Sequence, residues 1–216
     1  MKRIRGIKVV VFVACLAPLA RLAWKGFTVG LGANPIEVIT HATGDWTLRF
    51  LLITLSITPL RKLLRAPSLI RFRRMLGLFA FFYGTLHFTT YIWLDKFFDW
   101  HEMVKDIGKR PFITVGFTAL VLLIPLAATS TAGMIRRLGG HRWQMLHRLI
   151  YVSATLGVIH YLWLVKKDIR DPLFYGSILT ILLGYRLVVW ASAASKRRAV
   201  AGLRGSSVDR PVELSS

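Results

Sequence analysis

Two long stretches of the sequence contain no charged residue, and they constrain the fold more than any other feature. Residues 75–94 and 112–132 each have about the length, roughly 20 residues, that an α-helix needs to cross the hydrocarbon core of a membrane. Four less uniform apolar stretches accompany them, so the predicted transmembrane helices cover residues 7–24, 46–60, 75–94, 112–132, 143–165 and 173–194. The pattern predicts an all-α integral membrane protein, a six-transmembrane-helix bundle that occupies residues 1–194.

The composition excludes the class of protein that the charge alone would suggest. The 216 residues carry a net charge of +20, which in a soluble protein is typical of nucleic-acid binding. However, 54% of them are hydrophobic and the mean hydropathy is +0.51, which argues against a nucleic-acid module and against a disordered basic chain. The single cysteine, Cys15, excludes an intrachain disulfide and a multi-cysteine metal site. A cleaved signal peptide is an alternative for residues 7–24, but no small-residue cleavage site follows, which favours an uncleaved helix.

The basic residues alternate between the segments that join the predicted helices. Four segments hold 19 of the 30 Lys and Arg residues and only two acidic residues: 1–8, 61–74, 129–148 and 192–216. The three intervening loops balance eight basic against eight acidic residues: 25–45, 95–111 and 165–172. Because Lys and Arg mark the cytoplasmic side of a membrane protein, we predict that both termini are cytoplasmic. Residues 195–216 are polar and basic, and are predicted to form a disordered cytoplasmic tail.

Three of the six histidines, His87, His147 and His160, fall inside predicted spans, where ionisable groups are costly and are candidates for function. In the predicted orientation, His87 and His160 reach similar depths in the outer halves of spans three and five. His147 lies roughly 20 Å further inward, at about 1.5 Å per helical residue. Two neutral imidazoles at equal depth on separate helices can ligate a haem iron from both sides. The sequence therefore favours a haem held between helices three and five.

The residues alone leave other interpretations open. Intramembrane histidines also bridge helices in structural subunits, and they relay protons in transporters, although no span contains a pair of acidic residues and no inverted repeat is visible.

Arg74 stands where a histidine partner for His147 would be expected. Arginine does not ligate iron, but it could hold a haem propionate, or the phosphate of a flavin or lipid. His41, His101 and His141 are predicted to be solvated in loops. Since no dinucleotide-binding fingerprint occurs, a haem in this chain would need an outside electron donor.

Several blocks of the sequence resemble a known family. They are GLGANPIEVITHATGDWTLRFLL, ITPLRKLLRAPSLIRFRRMLGLFAFFYGTLHFTTY, RPFITVGF and TSTAGMIRRLGGHRWQMLHRLIYVSATLGVIHYLW, and together they span roughly residues 30–165. This region resembles the MsrQ family (formerly YedZ), the haem-binding membrane subunits of the protein-methionine-sulfoxide reductase system. That family is part of the ferric-reductase-like transmembrane group, which includes the NADPH oxidases and STEAP proteins.

The resemblance implies a function as well as a fold. It implies a b-type haem protein of the bacterial inner membrane, a non-catalytic electron-transfer subunit of an oxidoreductase complex. Electrons would come from the quinone pool, or from a cytosolic flavin reductase with bound FMN, and would go to a periplasmic molybdopterin subunit that reduces oxidised methionine in proteins. The important histidines of the family match His87, His147 and His160. The wider group often holds two stacked haems with four histidines, and Arg74 occupies the place of the fourth. We predict that His87 and His160 ligate one haem. His147 is predicted to serve an inner site, as a metal ligand of a second haem or as a contact for another redox group such as a quinone.

Overall fold

The described part of the chain consists of helices. A computed structural model describes residues 2–165 and 167–208, and within these ranges it contains no strand. The helices are α1 (Lys2–Thr28), α2 (Pro35–Leu63), α3 (Ile70–Thr90), α4 (Trp100–Lys109), α5 (Pro111–Ala128), α6 (Ala132–Leu138), α7 (Gly140–Leu146), α8 (Leu149–Leu164) and α9 (Arg170–Val208). A short 3₁₀ helix precedes α3 and a π-helical turn follows it. The predicted all-α class is therefore confirmed.

Within the described ranges, four helical segments are long and apolar enough to cross a membrane: Ile4–Thr28, Pro67–Asp95, Pro111–Ala128 and Arg170–Ser195. They correspond to the first, third, fourth and sixth predicted spans. Few of their residues are buried within the protein, from 6% in the most apolar window of the first segment to 33% in that of the second. Apolar side chains therefore cover their outer surfaces, as expected of helices that contact lipid rather than water.

The second predicted span lies inside a longer helix than the sequence indicated. The apolar run 46–60 predicted only the centre of α2, which begins at Pro35 and ends at Leu63. Its first turn is polar and is stabilised by a cap, because the Asn34 side chain accepts a hydrogen bond from the Glu37 N–H at 3.3 Å. Hydropathy could not indicate this turn, because capping depends on a single polar side chain.

The fourth and fifth predicted spans end differently from the prediction. Helix α5 stops at Ala128 instead of residue 132. The fifth span, predicted as one helix over 143–165, is divided into α7 and the 16-residue α8. At the break, the N–H of Arg148 bonds three residues back to the Met145 carbonyl, at 3.1 Å, which tightens the turn.

The interior of the first unit lies among four helices. The chain divides into two compact units, Met1–Leu179 and Thr180–Ser216. In the first unit, α2 packs extensively against α3, and α5 packs extensively against α8; contacts of α3 with α5 and of α2 with α8 join the two pairs. The side chains of Leu51, Leu55 and Tyr83 are almost fully buried in this interior.

The C-terminal boundary predicted near residue 195 is not a helix end. Helix α9 continues into the second unit as far as Val208. Residues 209–216 of the predicted tail lie outside the described residues. The disorder of the tail stays a prediction.

Tyr83 connects α1 to α3 through the backbone of α1. Its hydroxyl donates to the Cys15 carbonyl at 2.9 Å and accepts a hydrogen bond from the Leu19 N–H at 3.2 Å. These two backbone groups are four residues apart, the spacing of a helical hydrogen bond, so the hydroxyl lies against the hydrogen-bond ladder of α1. The contacts of α1 with the other helices are few, and Tyr83 therefore provides a specific polar attachment for it.

We expect Tyr83→Phe to loosen α1. The substitution removes both hydrogen bonds of a buried hydroxyl, at a cost of about 1 kcal/mol or more in the free energy of unfolding. Thermal unfolding in detergent measures the loss. The control is Tyr161→Phe, because the Tyr161 hydroxyl makes no hydrogen bond within the part of the chain that the structure describes. Equal melting temperatures for the two variants would contradict the assignment.

Candidate functional site

A cavity of about 450 Å³ lies among α2, α3, α5 and α8. Its size is in the range of cofactor and small-molecule sites. Each of the four helices contributes one glycine to its wall, and these are Gly44, Gly84, Gly116 and Gly157. Apolar side chains form most of the remaining wall, among them Leu48, Leu51, Phe88, Phe117, Leu120 and Leu123. The cavity is therefore suited to a large apolar group.

His87 and His160 approach each other in this cavity. His87 is on α3 and His160 on α8, and their ring centroids are 6.0 Å apart with an angle of 74° between the ring planes. With metal–nitrogen bonds of about 2 Å on each side, two imidazoles facing one metal ion have ring centres roughly 6 Å apart. The structure thus brings together the two histidines that the depth argument paired.

Both rings are oriented by backbone carbonyl groups. The Nδ1 atom of His87 lies 2.9 Å from the Thr40 carbonyl oxygen on α2, and Nδ1 of His160 lies 2.7 Å from the Phe112 carbonyl oxygen on α5. A carbonyl only accepts hydrogen bonds, so each Nδ1 carries the proton and donates it. In this tautomer the Nε2 atom of each ring keeps its lone pair, as a metal ligand requires.

These donors fit a haem better than a bare metal ion. Among the described residues there is no group of three or more His, Cys, Asp or Glu side chains that could hold a metal. Two histidines alone leave most coordination positions of an ion open, whereas the porphyrin of a haem supplies four nitrogens and needs only axial ligands. The apolar wall and the glycines on all four helices provide space for a flat macrocycle.

One end of the cavity is polar. The side chains that line this end include Asn34, Glu37, His41, Asp45, Asp95 and Arg110. Beside it, on α4, the buried Asp106 carboxylate accepts a hydrogen bond from Lys96 and one from the Tyr91 hydroxyl at 3.4 Å, and it lies 3.3 Å from Nε of Arg110. Burial raises the pKa of Asp106, but bonding to Lys96 and the charges of Lys96 and Arg110 outweigh it and lower the pKa below its ordinary value.

We expect Asp106→Asn to destabilise the packing of α4 by about 1–3 kcal/mol, because the half-buried Lys96 loses its counter-charge. Since the pKa of Asp106 is lowered in the folded protein, its stabilising effect is complete above the ordinary carboxyl pKa and is lost as the pH falls through the lowered value. Limited proteolysis of residues 96–110 between neutral and acidic pH measures this. Glu102→Gln is the matched control, because Glu102 is exposed on the same helix. Equal sensitivity of the two variants at neutral pH would contradict the role of Asp106.

His147 and Arg74 do not line the cavity. The Nε2 atom of His147 lies 3.1 Å from the Thr129 hydroxyl, and the Trp143 ring stacks on the imidazole with centroids 3.9 Å apart. The Trp143 indole N–H donates to the Thr129 carbonyl at 3.0 Å. Arg73, rather than the exposed Arg74, is the α3 residue whose charge acts on His147. We call Trp143, His147 and Thr129, with Arg73 beside them, the His147 cluster.

The other histidines agree with the prediction in part. His41, His101 and His141 are all exposed, as predicted, but none lies in a loop: His41 is on α2, His101 on α4 and His141 on α7. His41 also lies at the polar end of the cavity. Sequence reasoning did not identify Thr40 and Phe112, because a backbone carbonyl leaves no mark in residue type. The one sequence signal for these two carbonyls was a glycine four residues after each of them, Gly44 after Thr40 and Gly116 after Phe112.

The fold and this cavity define a helical membrane protein with a paired-histidine site, and comparisons with known proteins agree. The family model described as "Ferric reductase like transmembrane component" matches residues 43–158, which include all four cavity helices in part or whole. A protein of Herminiimonas arsenicoxydans named "Protein-methionine-sulfoxide reductase heme-binding subunit MsrQ" is 60% identical over 91% of each chain. Proteins of the same name are 51% identical in Ralstonia nicotianae, over 93% of each chain, and 50% identical in Caulobacter vibrioides, over 86% of this chain and 89% of the relative. The chain therefore belongs to the MsrQ family of ferric-reductase-like transmembrane proteins.

Proposed function

We propose that this chain binds one b-type haem between α3 and α8 and acts as the membrane electron-transfer subunit of a protein-methionine-sulfoxide reductase. The observation that carries the proposal is the pair His87 and His160, whose rings lie 6.0 Å apart in an apolar cavity with both Nδ1 atoms engaged by carbonyl groups. Family membership supports the assignment, since the relatives are named as haem-binding subunits. A haem held there would supply a one-electron redox couple.

The protein's own contribution is ligation, orientation and exclusion of water. His87 and His160 present their Nε2 lone pairs, and the Thr40 and Phe112 carbonyls fix the tautomer and raise the basicity of both rings. Leucine and phenylalanine side chains keep most of the wall dry. Within the part of the chain that the structure describes, α3 carries Arg73 and Arg74, and no histidine, where a partner for His147 would be needed, which supports a single haem with two histidine ligands.

The proposed topology has six membrane crossings with both termini in the cytoplasm of a bacterium, in the inner membrane. Helix α2 contains 29 residues, or about 43 Å at 1.5 Å per residue, which is long enough to cross. Helix α8 has only 16 residues, but α7 comes directly before it in the chain, and we propose that the two helices together form the fifth crossing. The alternation of basic and neutral loops supports the orientation. The loops 25–45, 95–111 and 165–172 would then face the periplasm.

The proposed electron donor is the quinone pool, with a cytosolic flavin reductase or bound FMN as the other source. The His147 cluster is the donor site that we propose, because it combines a histidine, a stacking aromatic ring and a nearby guanidinium, which suit a quinone or flavin ring with polar edges. The proposed acceptor is a periplasmic molybdopterin-containing methionine sulfoxide reductase, which would dock on the neutral loops.

Membranes containing the chain test this function directly. A quinol analogue and, separately, a flavin reductase with its pyridine nucleotide are added while the haem absorbance is followed. We expect one of the two donors to reduce the haem. The periplasmic reductase is then added with a protein that contains methionine sulfoxide, and we expect it to reoxidise the haem. A haem that stays reduced after this addition would contradict the proposed acceptor.

A further inference from the structure

His87 and His160 each donate to a helix carbonyl that is followed, four residues later, by a glycine. Thr40, which accepts from His87, precedes Gly44 on α2, and Phe112, which accepts from His160, precedes Gly116 on α5. The same arrangement therefore occurs twice, on different helices and toward different histidines. We call these two places the glycine seats.

The geometry of an α-helix explains why a glycine is needed at that spacing. The carbonyl of residue i accepts from the N–H of residue i+4, so its oxygen lies against residue i+4. A carbonyl oxygen has a second lone pair, but a donor from another helix reaches it only by passing over residue i+4. A glycine at that position leaves the space that an imidazole ring occupies.

The distances show that both rings fill this space. A Cβ atom at Gly116 would lie 2.6 Å from Nδ1 and 2.9 Å from Cε1 of His160, closer than real Cβ contacts allow. A Cβ at Gly44 would lie 3.1 Å from both Nδ1 and Cε1 of His87, which is tight but within reach of a small shift. The other two cavity glycines differ, because a Cβ at Gly84 or Gly157 would contact leucine side chains, at 3.3 and 3.6 Å.

We infer that Gly44 and Gly116 are positioning residues for the haem ligands: they allow the Thr40 and Phe112 carbonyls to hold the His87 and His160 rings with Nε2 toward the iron. The inference rests on the proposed haem and adds the residues that set its ligand geometry and redox potential. A Cβ at either glycine displaces the ring and weakens its bond to the carbonyl. A weaker bond makes the imidazole less basic and less able to stabilise the oxidised iron.

Alanine substitutions at the two glycine seats are expected to affect haem binding to different extents. Gly116→Ala forces His160 away from its carbonyl, so we expect less than half of the haem per protein found in the unsubstituted chain. Gly44→Ala should retain full haem, with a higher midpoint potential and an altered ferric EPR spectrum. Gly77→Ala is the matched control, because Gly77 is on α3 but does not line the cavity, and a Cβ there would meet only the Thr54 methyl group, at 3.7 Å. It should leave haem content, EPR spectrum and potential unchanged.

The experiment measures haem per protein by pyridine haemochrome, the ferric EPR spectrum and the midpoint potential on full-length variants purified in detergent, with thermal unfolding as a check on folding. If Gly116→Ala does not accumulate in the membrane, Gly44→Ala decides the question. If both glycine variants, Gly44→Ala and Gly116→Ala, behaved like Gly77→Ala in haem content, EPR spectrum and potential, the inference would be overturned. If the unsubstituted chain itself lacked haem, or kept it after loss of both His87 and His160, the proposed function would fail instead.

Discussion

Replacing either His87 or His160 with alanine is expected to remove the haem, with a fall in haem per protein of about tenfold or more. Even the outer-shell partners of metal ligands contribute roughly 10–100-fold to affinity, and an axial ligand contributes at least as much. Among the described residues, His41 is the one other histidine that lines the cavity, and it is exposed, with its Nε2 atom 3.9 Å from the Glu37 carboxylate. Haem content of purified variants, measured against protein concentration, checks this expectation.

The controls for this experiment are His101→Ala and His141→Ala. Both residues are exposed, and neither lines the cavity. They should retain the haem content and the absorption spectrum of the unsubstituted chain. Loss of haem from either control, with retention in both His87→Ala and His160→Ala, would show that the ligands are misassigned.

His147→Ala is expected to separate electron entry from haem binding. Dithionite should still reduce a full complement of haem, because His147 does not line the cavity. Reduction by a quinol analogue should require a higher quinol concentration, roughly two- to tenfold, since one hydrogen bond to a bound ligand is worth about 0.5–1.5 kcal/mol. Stopped-flow absorbance in membranes gives the concentration dependence.

Thr129→Val and Arg74→Ala extend this test. Thr129→Val keeps the shape of the side chain but removes the hydroxyl 3.1 Å from His147, so it should share part of the defect. Arg74→Ala should have a smaller effect, because Arg74 is exposed and Arg73 is the residue that acts on His147. Loss of haem from His147→Ala would instead make His147 an iron ligand and contradict the separate inner site.

The fold was predictable where hydropathy dominates and was not predictable where single polar contacts decide. Residues 75–94 have no charge, and they lie within a helical segment that can cross the membrane. The break between α7 and α8 depends instead on the hydrogen bonds of Arg148 and on the stacking of Trp143 against His147. An apolar average over 143–165 does not contain that information.

The candidate site shows the same division. The basic and the neutral loops set the direction of each predicted helix, and counting residues along the helices then placed His87 and His160 at one depth, because helical rise is constant. Their common cavity also required both side chains to face inward, which the structure provides through the Thr40 and Phe112 carbonyls. Arg74 was the basic residue expected near His147, yet Arg73, one position earlier and therefore on a different side of α3, is the residue whose charge acts there.

The absorption and EPR spectra of the purified full-length chain, expressed with adequate haem, test the central claim most directly. The account predicts one b-type haem per chain, with a Soret band and α/β bands after dithionite reduction. The ferric EPR spectrum should be that of a low-spin iron with two histidine ligands. A chain that lacked these bands, or a haem whose EPR spectrum showed fewer than two histidine ligands, would contradict it.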